Sequence, residues 1–499
     1  MKKLVSIFLA LVLTLALSIS AFAANATVTI GNDADRDYVG FKLMSLTTSL
    51  KADDACAEGT PHNKDCYNYA YTINPDFAAI LKTATGQATD EAVFAYLTDA
   101  NTDVQATANA IYRAIKAADI DGTEIAGNAE TELEQGYWLF ADVTNLDGQT
   151  DKANSVVMLK TQGQEDITVT PKLGLPTVTK LVKDVNDTTA ANGWDKSADL
   201  DIGDYAQFEL TATVHERLAS YETYKLIFHD DLADGFALDD TAKASIQVKA
   251  YTDNTKATEI ALAADDDYTV NYTTADAGCD FEVIFANIND IAGVTKDTVF
   301  EVTYQAKLTE AAVLRNLNTV TLEYSNDPYN EDSTGTTSDA AAVYTYKLVI
   351  DKKAESETGA DLAGAGFTLF KMVGGNEEQI GEELYSNGTL IQFTWNGLDD
   401  GTYVLKETKV PAGYNKMADL TFTVEAKHNI DAVTTLTADT MDTAPAKGLI
   451  TDVVVNNSGT VLPETGAAGT MWLIIGGAVL VMLAGVFMIT RKKMSVYAD

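Results

Sequence analysis

Little in this sequence staples, bends or catalyses. Cysteine occurs three times in 499 residues, too few for the disulfide-dense scaffolds of small exported domains. Proline occurs 8 times and glycine 33 times, which excludes collagen-like repeats and long proline-rich stalks. His62, His215, His229 and His428 are scattered without metal-ligand spacing. Asp33, Asp35 and Asp37 lack the glycine and terminal glutamate of a calcium-binding EF-hand loop. No Ser/His/Asp or Cys/His set presents itself, so the sequence predicts neither an enzyme nor a metal site nor a cofactor. Positive charge is also scarce: 35 Lys and Arg face 73 Asp and Glu, a formal net charge of −38. Such a surface repels phosphate, which excludes nucleic acid as a partner.

The apolar runs that carry an address stand at the two ends. Lys2 and Lys3 precede a run from Leu4 to Leu17, and Ala21-Phe22-Ala23 supplies the small-x-small pattern. Residues 1–23 therefore read as a secretory signal peptide, removed after Ala23. At the other end Leu462-Pro463-Glu464-Thr465-Gly466 precedes an apolar stretch over residues 471–490, closed by Arg491, Lys492 and Lys493. That stretch is long enough to span a bilayer, with residues 491–499 on the cytoplasmic side. Motif, span and basic tail in this order resemble the LPxTG cell-wall sorting signal of Gram-positive bacteria. The resemblance implies that a sortase cuts between Thr465 and Gly466, holds Thr465 as a thioester and passes it to an amine. Pro463 keeps the site extended for reading as a strand-like peptide.

Between the ends lie about 440 residues, room for roughly three domains. Residues 24–172 read as a mixed α/β domain, with helices near residues 75–82 and 102–118. Beyond residue 170 segments such as YAQFELTATV and TVFEVTYQAKL alternate in strand style. The fold class is mainly β: tandem immunoglobulin-like sandwiches over residues 173–340 and 341–460. Joints are expected near residues 172–176, where Pro171, Gly174 and Pro176 cluster, and 328–343, which is polar and turn-rich. Cys56 and Cys66 bracket CAEGTPHNKDC and predict a loop-stapling disulfide. Cys279 is left as a small apolar residue.

Three internal segments carry chemistry. In YVLKETKVPAGY, residues 403–414, alternation puts Glu407 on the face of Tyr403 and Leu405. The segment resembles the pilin E-box, with Val410 in place of alanine. Residues 348–370 and 453–460 resemble the opening and final strands of a Cna B-type domain. The resemblance implies a self-formed Lys–Asn isopeptide bond with Glu407 as the acid. Alternation with Leu348 and Ile350 selects Lys352, with Lys353 as the alternative; Asn456 is preferred to Asn457. In the middle region PTVTK, ETYKLIFHDDL and RNLNTVTLEYSNDP resemble the Cna A-type domain of major pilins. This implies a second set, Lys180, Asp230 and Asn318, with Asp231 and Asn316 as alternatives. Burial favours both the neutral amine and the neutral acid, and the fold supplies proximity.

The third segment, Thr170-Pro171-Lys172, stands where pilin shafts carry a polymerising lysine, with Thr in place of the usual Tyr. The resemblance implies that Lys172 of one subunit attacks the Thr465 thioester of the next. It further implies a pilus-specific and a housekeeping sortase, identical subunits, tip and base pilins and peptidoglycan as partners. Leu173 replaces the asparagine of some relatives, so no isopeptide is expected in the first domain and Lys42 is ordinary. The whole reading is a wall-anchored, sortase-assembled shaft subunit that supports adhesion. A non-polymerising adhesin or pilus-base subunit is the alternative.

Overall fold

The computed structural model describes residues 25–31, 34–51, 66–99, 104–146, 149, 151–161, 166–170, 174–273, 278–386, 391–459, 480–481 and 483. The signal peptide, Cys56, Lys172, the 462–466 motif and nearly all of the 471–490 stretch lie outside them. Among the described residues no helix is long and apolar enough to cross a membrane.

The first region is built on the long strand Asp37–Leu50, which pairs with Tyr67–Ile73 on one side and Gly136–Asp142 on the other. Helices Ala78–Thr85, Asp90–Thr98 and Val104–Ala117 cover this sheet. Leu81, Val93, Leu97, Ile111 and Ile115 meet Phe41, Leu43 and Leu139 in one core. The four-residue spacing of Val93 with Leu97 and of Ile111 with Ile115 puts each pair on one helical face. A smaller sheet pairs Ala26–Ile30 antiparallel with Glu130–Leu133 and parallel with Ile167–Val169. The strand Ile167–Val169 thus ends the region directly before the 171–173 segment.

The second region is a sandwich. One sheet runs through Val178–Val185, Tyr205–Thr213, Val299–Leu308 and Gln247–Tyr251. The facing sheet runs through Thr334–Tyr344, Arg315–Ser325, Leu226–Leu232 and Phe281–Phe285. The two-residue period carries the burial: Ala206, Phe208, Leu210 and Ala212 are inaccessible while the residues between them face outward. The third region is a smaller sandwich. Tyr346–Ala354 lies between Gln392–Leu398 and, in parallel, Leu449–Asn456. Gly366–Val373, Gly401–Lys409 and Leu420–His428 form the core of the opposing sheet.

One boundary differs from the expectation. The segment 328–343 is not a connection between the sandwiches. Residues 326–333 form a turn, and Thr334–Tyr344 is the last strand of the second sandwich, paired along its length with Arg315–Ser325. The chain crosses at Thr345 alone. The turn faces the first region instead: Tyr329 donates to Asn109 at 2.7 Å and packs edge-on against Tyr112, while Asn154 donates to Asp327 at 3.1 Å. A polar, turn-rich segment signals a turn equally well within a domain and between two.

Candidate functional sites in the two sandwich cores

Lys180 stands on the first strand of the second sandwich with its side chain wholly buried, as are Asp230 and Asn318 on the facing sheet. All three occupy inward positions of alternating strands: Val178, Lys180 and Val182; Leu226, Phe228 and Asp230; Asn318, Val320 and Leu322. The Lys180 Nζ lies 2.5 Å from Asp230 Oδ2 and also donates to Asn318 Oδ1. Burial pulls the Lys180 amine down from 10.5 to about 8 and outweighs the attraction of Asp230. Burial likewise raises Asp230 above the ordinary carboxylate range. The alternatives sit elsewhere. Asp231 is exposed, and Asn316 donates to the Val313 carbonyl at 2.7 Å and the Val343 carbonyl at 3.2 Å, tying the strand's entry.

Nothing in the motifs pointed to a fourth member, Tyr304. Its hydroxyl donates to Asp230 Oδ1 at 2.6 Å and accepts from Asn318 Nδ2 at 2.6 Å. The ring stacks on Phe208 at 5.3 Å and meets Phe281 edge-on at 4.9 Å. The usable signal was the alternation of Val302, Tyr304 and Ala306, which faces a phenol into the core among apolar neighbours.

The third sandwich holds the second set in a different arrangement. Lys352 and Asn456 lie on neighbouring parallel strands of one sheet, and Glu407 comes from the opposing sheet. Lys352 Nζ donates to Asn456 Oδ1 at 2.6 Å, and Asn456 Nδ2 donates directly to Glu407 Oε1 at 2.7 Å. The other Glu407 oxygen accepts from the Met417 backbone at 2.9 Å. Burial pulls the Lys352 amine down to about 8 against the attraction of Glu407. Lys353 points the other way and pairs with Asp361 at the surface, and Asn457 is exposed.

A third buried lysine, Lys371, does not share this chemistry. Its Nζ lies 2.6 Å from Asp201, 2.9 Å from Asp399 and 3.0 Å from Asp187. Burial alone would lower its pKa, but Asp399 and Asp201 outweigh burial and hold it as an ammonium. An ammonium has no lone pair to attack with. Lys371 belongs to the third sandwich, and Asp187 and Asp201 to the second, so the cluster clasps the two together. His428 contributes beside it, contacting Ser197 at 2.8 Å and Asp199 at 3.3 Å while stacking on Tyr344. The partners of His428 come from a different region of the chain, which is why sequence spacing leaves it isolated.

In the first region Cys66 is disulfide-bonded. Lys42 forms an ion pair with the exposed Glu134 at 2.5 Å, an ordinary surface contact.

Comparison with known proteins agrees with this architecture. Residues 347–439 match the SpaA prealbumin-like fold domain, and residues 454–495 match the LPXTG cell wall anchor motif. The comparison with curated proteins returned no match. Among solved structures, the chain is similar to the T6 backbone pilin of serotype M6 Streptococcus pyogenes. Identity is 13%, the TM-score is 0.53, and the match covers 88% of this chain and 100% of that one. The full-length major pilin SpaD from Corynebacterium diphtheriae aligns at 17% identity with a TM-score of 0.45, over 88% and 98% of the two chains. The group B streptococcus pilus 2b backbone protein aligns at 22% identity with a TM-score of 0.40, over 53% and 97%. The fold is that of a Gram-positive backbone pilin, and the carboxyl end carries a cell-wall anchor. The protein is therefore a wall-anchored protein of the bacterial surface.

Proposed function

We propose that this chain is the shaft subunit of a sortase-assembled pilus, each copy joined to the next through Lys172 and Thr465 and stiffened by two internal Lys–Asn isopeptide bonds. The observation that carries the reading is the assembly of two buried amines, each in hydrogen-bond contact with an asparagine amide, in successive sandwiches directly ahead of a wall anchor. A shaft under tension needs cross-links that do not depend on redox state, and the scarcity of cysteine leaves that role to lysine.

The chemistry follows from burial. In each set the proton of the ammonium passes to the acid, and the neutral Nζ attacks the asparagine Cγ. The Cγ–Nδ2 bond then breaks, the nitrogen takes up a proton and ammonia leaves. Nothing is oxidised or reduced. Held at contact distance in a dry core, the pair reacts as an intramolecular one. Among the remaining partners, a pilus-specific sortase would use Lys172 as acceptor, and a housekeeping sortase would use peptidoglycan. Adhesion follows from the filament as a whole together with tip and base pilins.

The test is assembly. Wall extracts boiled in detergent should show a ladder of high-mass species. Lys172→Arg should abolish it while monomer still reaches the wall, because a guanidinium stays protonated. A ladder that persists in the Arg variant would assign the linkage to another lysine.

A further inference from the structure

The two sets solve one problem with different reach. Breaking the Cγ–Nδ2 bond needs a proton on the departing nitrogen. In the third sandwich Glu407 touches Asn456 Nδ2 directly at 2.7 Å. In the second sandwich the acid is an aspartate, one methylene shorter, and among the described residues no direct hydrogen bond joins Asp230 to Asn318. Tyr304 fills the gap. Its hydroxyl stands 2.6 Å from Asp230 Oδ1 and 2.6 Å from Asn318 Nδ2, so acid, phenol and leaving nitrogen form an unbroken chain. The other carboxylate oxygen, Oδ2, faces Lys180 Nζ at 2.5 Å. The carboxyl thus takes a proton from the nucleophile on one oxygen and can release one from the other.

Resting on the isopeptide reading of this set, we propose that Tyr304 is a further catalytic residue, the relay that carries a proton from Asp230 to the departing nitrogen of Asn318. Lys180 Nζ, neutral after giving one proton to Asp230, attacks Asn318 Cγ and forms the new C–N bond. With the first proton settled on Asp230 Oδ1, the oxygen shared with Tyr304, the second goes to Oδ2. Asp230 Oδ1 delivers a proton to the Tyr304 oxygen as Tyr304 delivers its own to Nδ2, the Cγ–Nδ2 bond breaks and ammonia departs. Tyr304 ends as it began, while Asp230, having taken two protons from Lys180 and passed one on, is left as the neutral acid. The ammonium and carboxylate charges have cancelled, so atoms and charge balance. The phenol never ionises, in keeping with a buried hydroxyl whose pKa is pushed far above its ordinary value by burial and by Asp230. Positioning falls to the ring, wedged between Phe208 and Phe281.

The experiment follows closure of the bond in the full chain. Newly made protein is pulse-labelled, sampled over time and digested, and the cross-linked Lys180–Asn318 peptide is weighed against its linear precursors. Tyr304→Phe keeps the ring packing and removes only the hydroxyl. It should slow closure on the order of a hundredfold, the scale of a lost acid–base group. Lys352–Asn456 closure in the same molecules should be unchanged. Combining Tyr304→Phe with Asp230→Glu, which lengthens the acid to the reach of Glu407, should restore closure. Wild-type closure in Tyr304→Phe alone would overturn the relay. A slow Tyr304→Phe that Asp230→Glu fails to rescue would also overturn it, reducing Tyr304 to packing. A wild-type chain that never closes Lys180–Asn318 would instead sink the isopeptide reading beneath it.

Discussion

At the residue scale, the difference between the buried lysines is set by their surroundings. Lys180 is in direct contact with one carboxylate and Lys352 feels only Glu407, and burial pulls both down to about 8, whereas Lys371 is in direct contact with three carboxylates and stays charged. The number of carboxylates in direct contact with the amine separates nucleophile from clasp. Asp230→Ala and Glu407→Ala should each fall short of the mass calculated from its own sequence by one ammonia, where wild type falls short by two. Each should also lower stability by about 5 kcal/mol, by analogy with a cross-link closing a loop of this length. Mass spectrometry and urea unfolding check both. A pH signature distinguishes bonded from unbonded protein. In Asn318→Ala the Lys180 amine has no amide to attack and stays titratable. Its folded value, about 8, lies below the unfolded 10.5. Between those values the unfolded chain binds more protons, so the stability of the variant rises with pH across that window. In wild type the amine is consumed and that increment is missing. Urea midpoints of the two proteins at pH 8 and 10.5 should therefore converge as pH rises. The inward placement of Lys180, Asp230 and Asn318 was legible in strand alternation, while their grouping as one set came from the resemblance to Cna A-type domains. Tyr304 was not, because its role depends on a gap between two other side chains across the core.

At the scale of elements, two-residue alternation foretold strands such as Tyr205–Thr213 and Val299–Leu308, and helices stand near the expected residues 75–82 and 102–118. The helix Asp90–Thr98 escaped notice, although Thr89 caps it by accepting from the Ala92 backbone at 3.2 Å. It is short, and only Val93 and Leu97 are buried along it, too weak a stripe to stand out. The joint after the second sandwich was misplaced because a turn signal does not say what it connects. What holds that joint is tertiary: the Lys371 cluster, His428 and a tight backbone approach. Ile202 donates its backbone N–H to the Gly397 carbonyl at 2.9 Å, and a Cβ on Gly397 would fall 2.2 Å from the Ile202 side chain. Gly397 also has φ +75°, so only glycine suits it. Lys371→Met should leave buried carboxylates uncompensated and cost about 3–5 kcal/mol. Calorimetry should show one joint transition for the two sandwiches in wild type and separate transitions in the variant. In the first region we propose Cys56 as the partner of Cys66. Cys66→Ser should then cost that domain about 2–3 kcal/mol, and a non-reducing peptide map should recover the pair.

At the scale of the whole molecule, the proposed linkages define a load path from Lys172 to Thr465. The first domain precedes Lys172 and hangs beside that path. In the third sandwich Lys352 and Asn456 join the first strand to the last, so force bypasses nearly all of it. The second sandwich differs, and corrects the simple picture of a tie between end strands. Asn318 lies on the penultimate strand, and the hairpin from Asn318 to Thr345 stays under load. Its 345 − 318 = 27 residues set a release of at most about 90 Å when it unzips. Single-molecule pulling between positions 172 and 465 should show that one step and no longer one, whereas Asn318→Ala should let the whole second sandwich extend. All of this depends on the covalent shaft. The most direct test is mass spectrometry of a high-mass band cut from a wall-extract ladder. A branched peptide joining the Thr465 carbonyl to the Lys172 Nζ is the predicted result. Chains carrying Thr465 only on peptidoglycan, with Lys172 unmodified throughout, would contradict it.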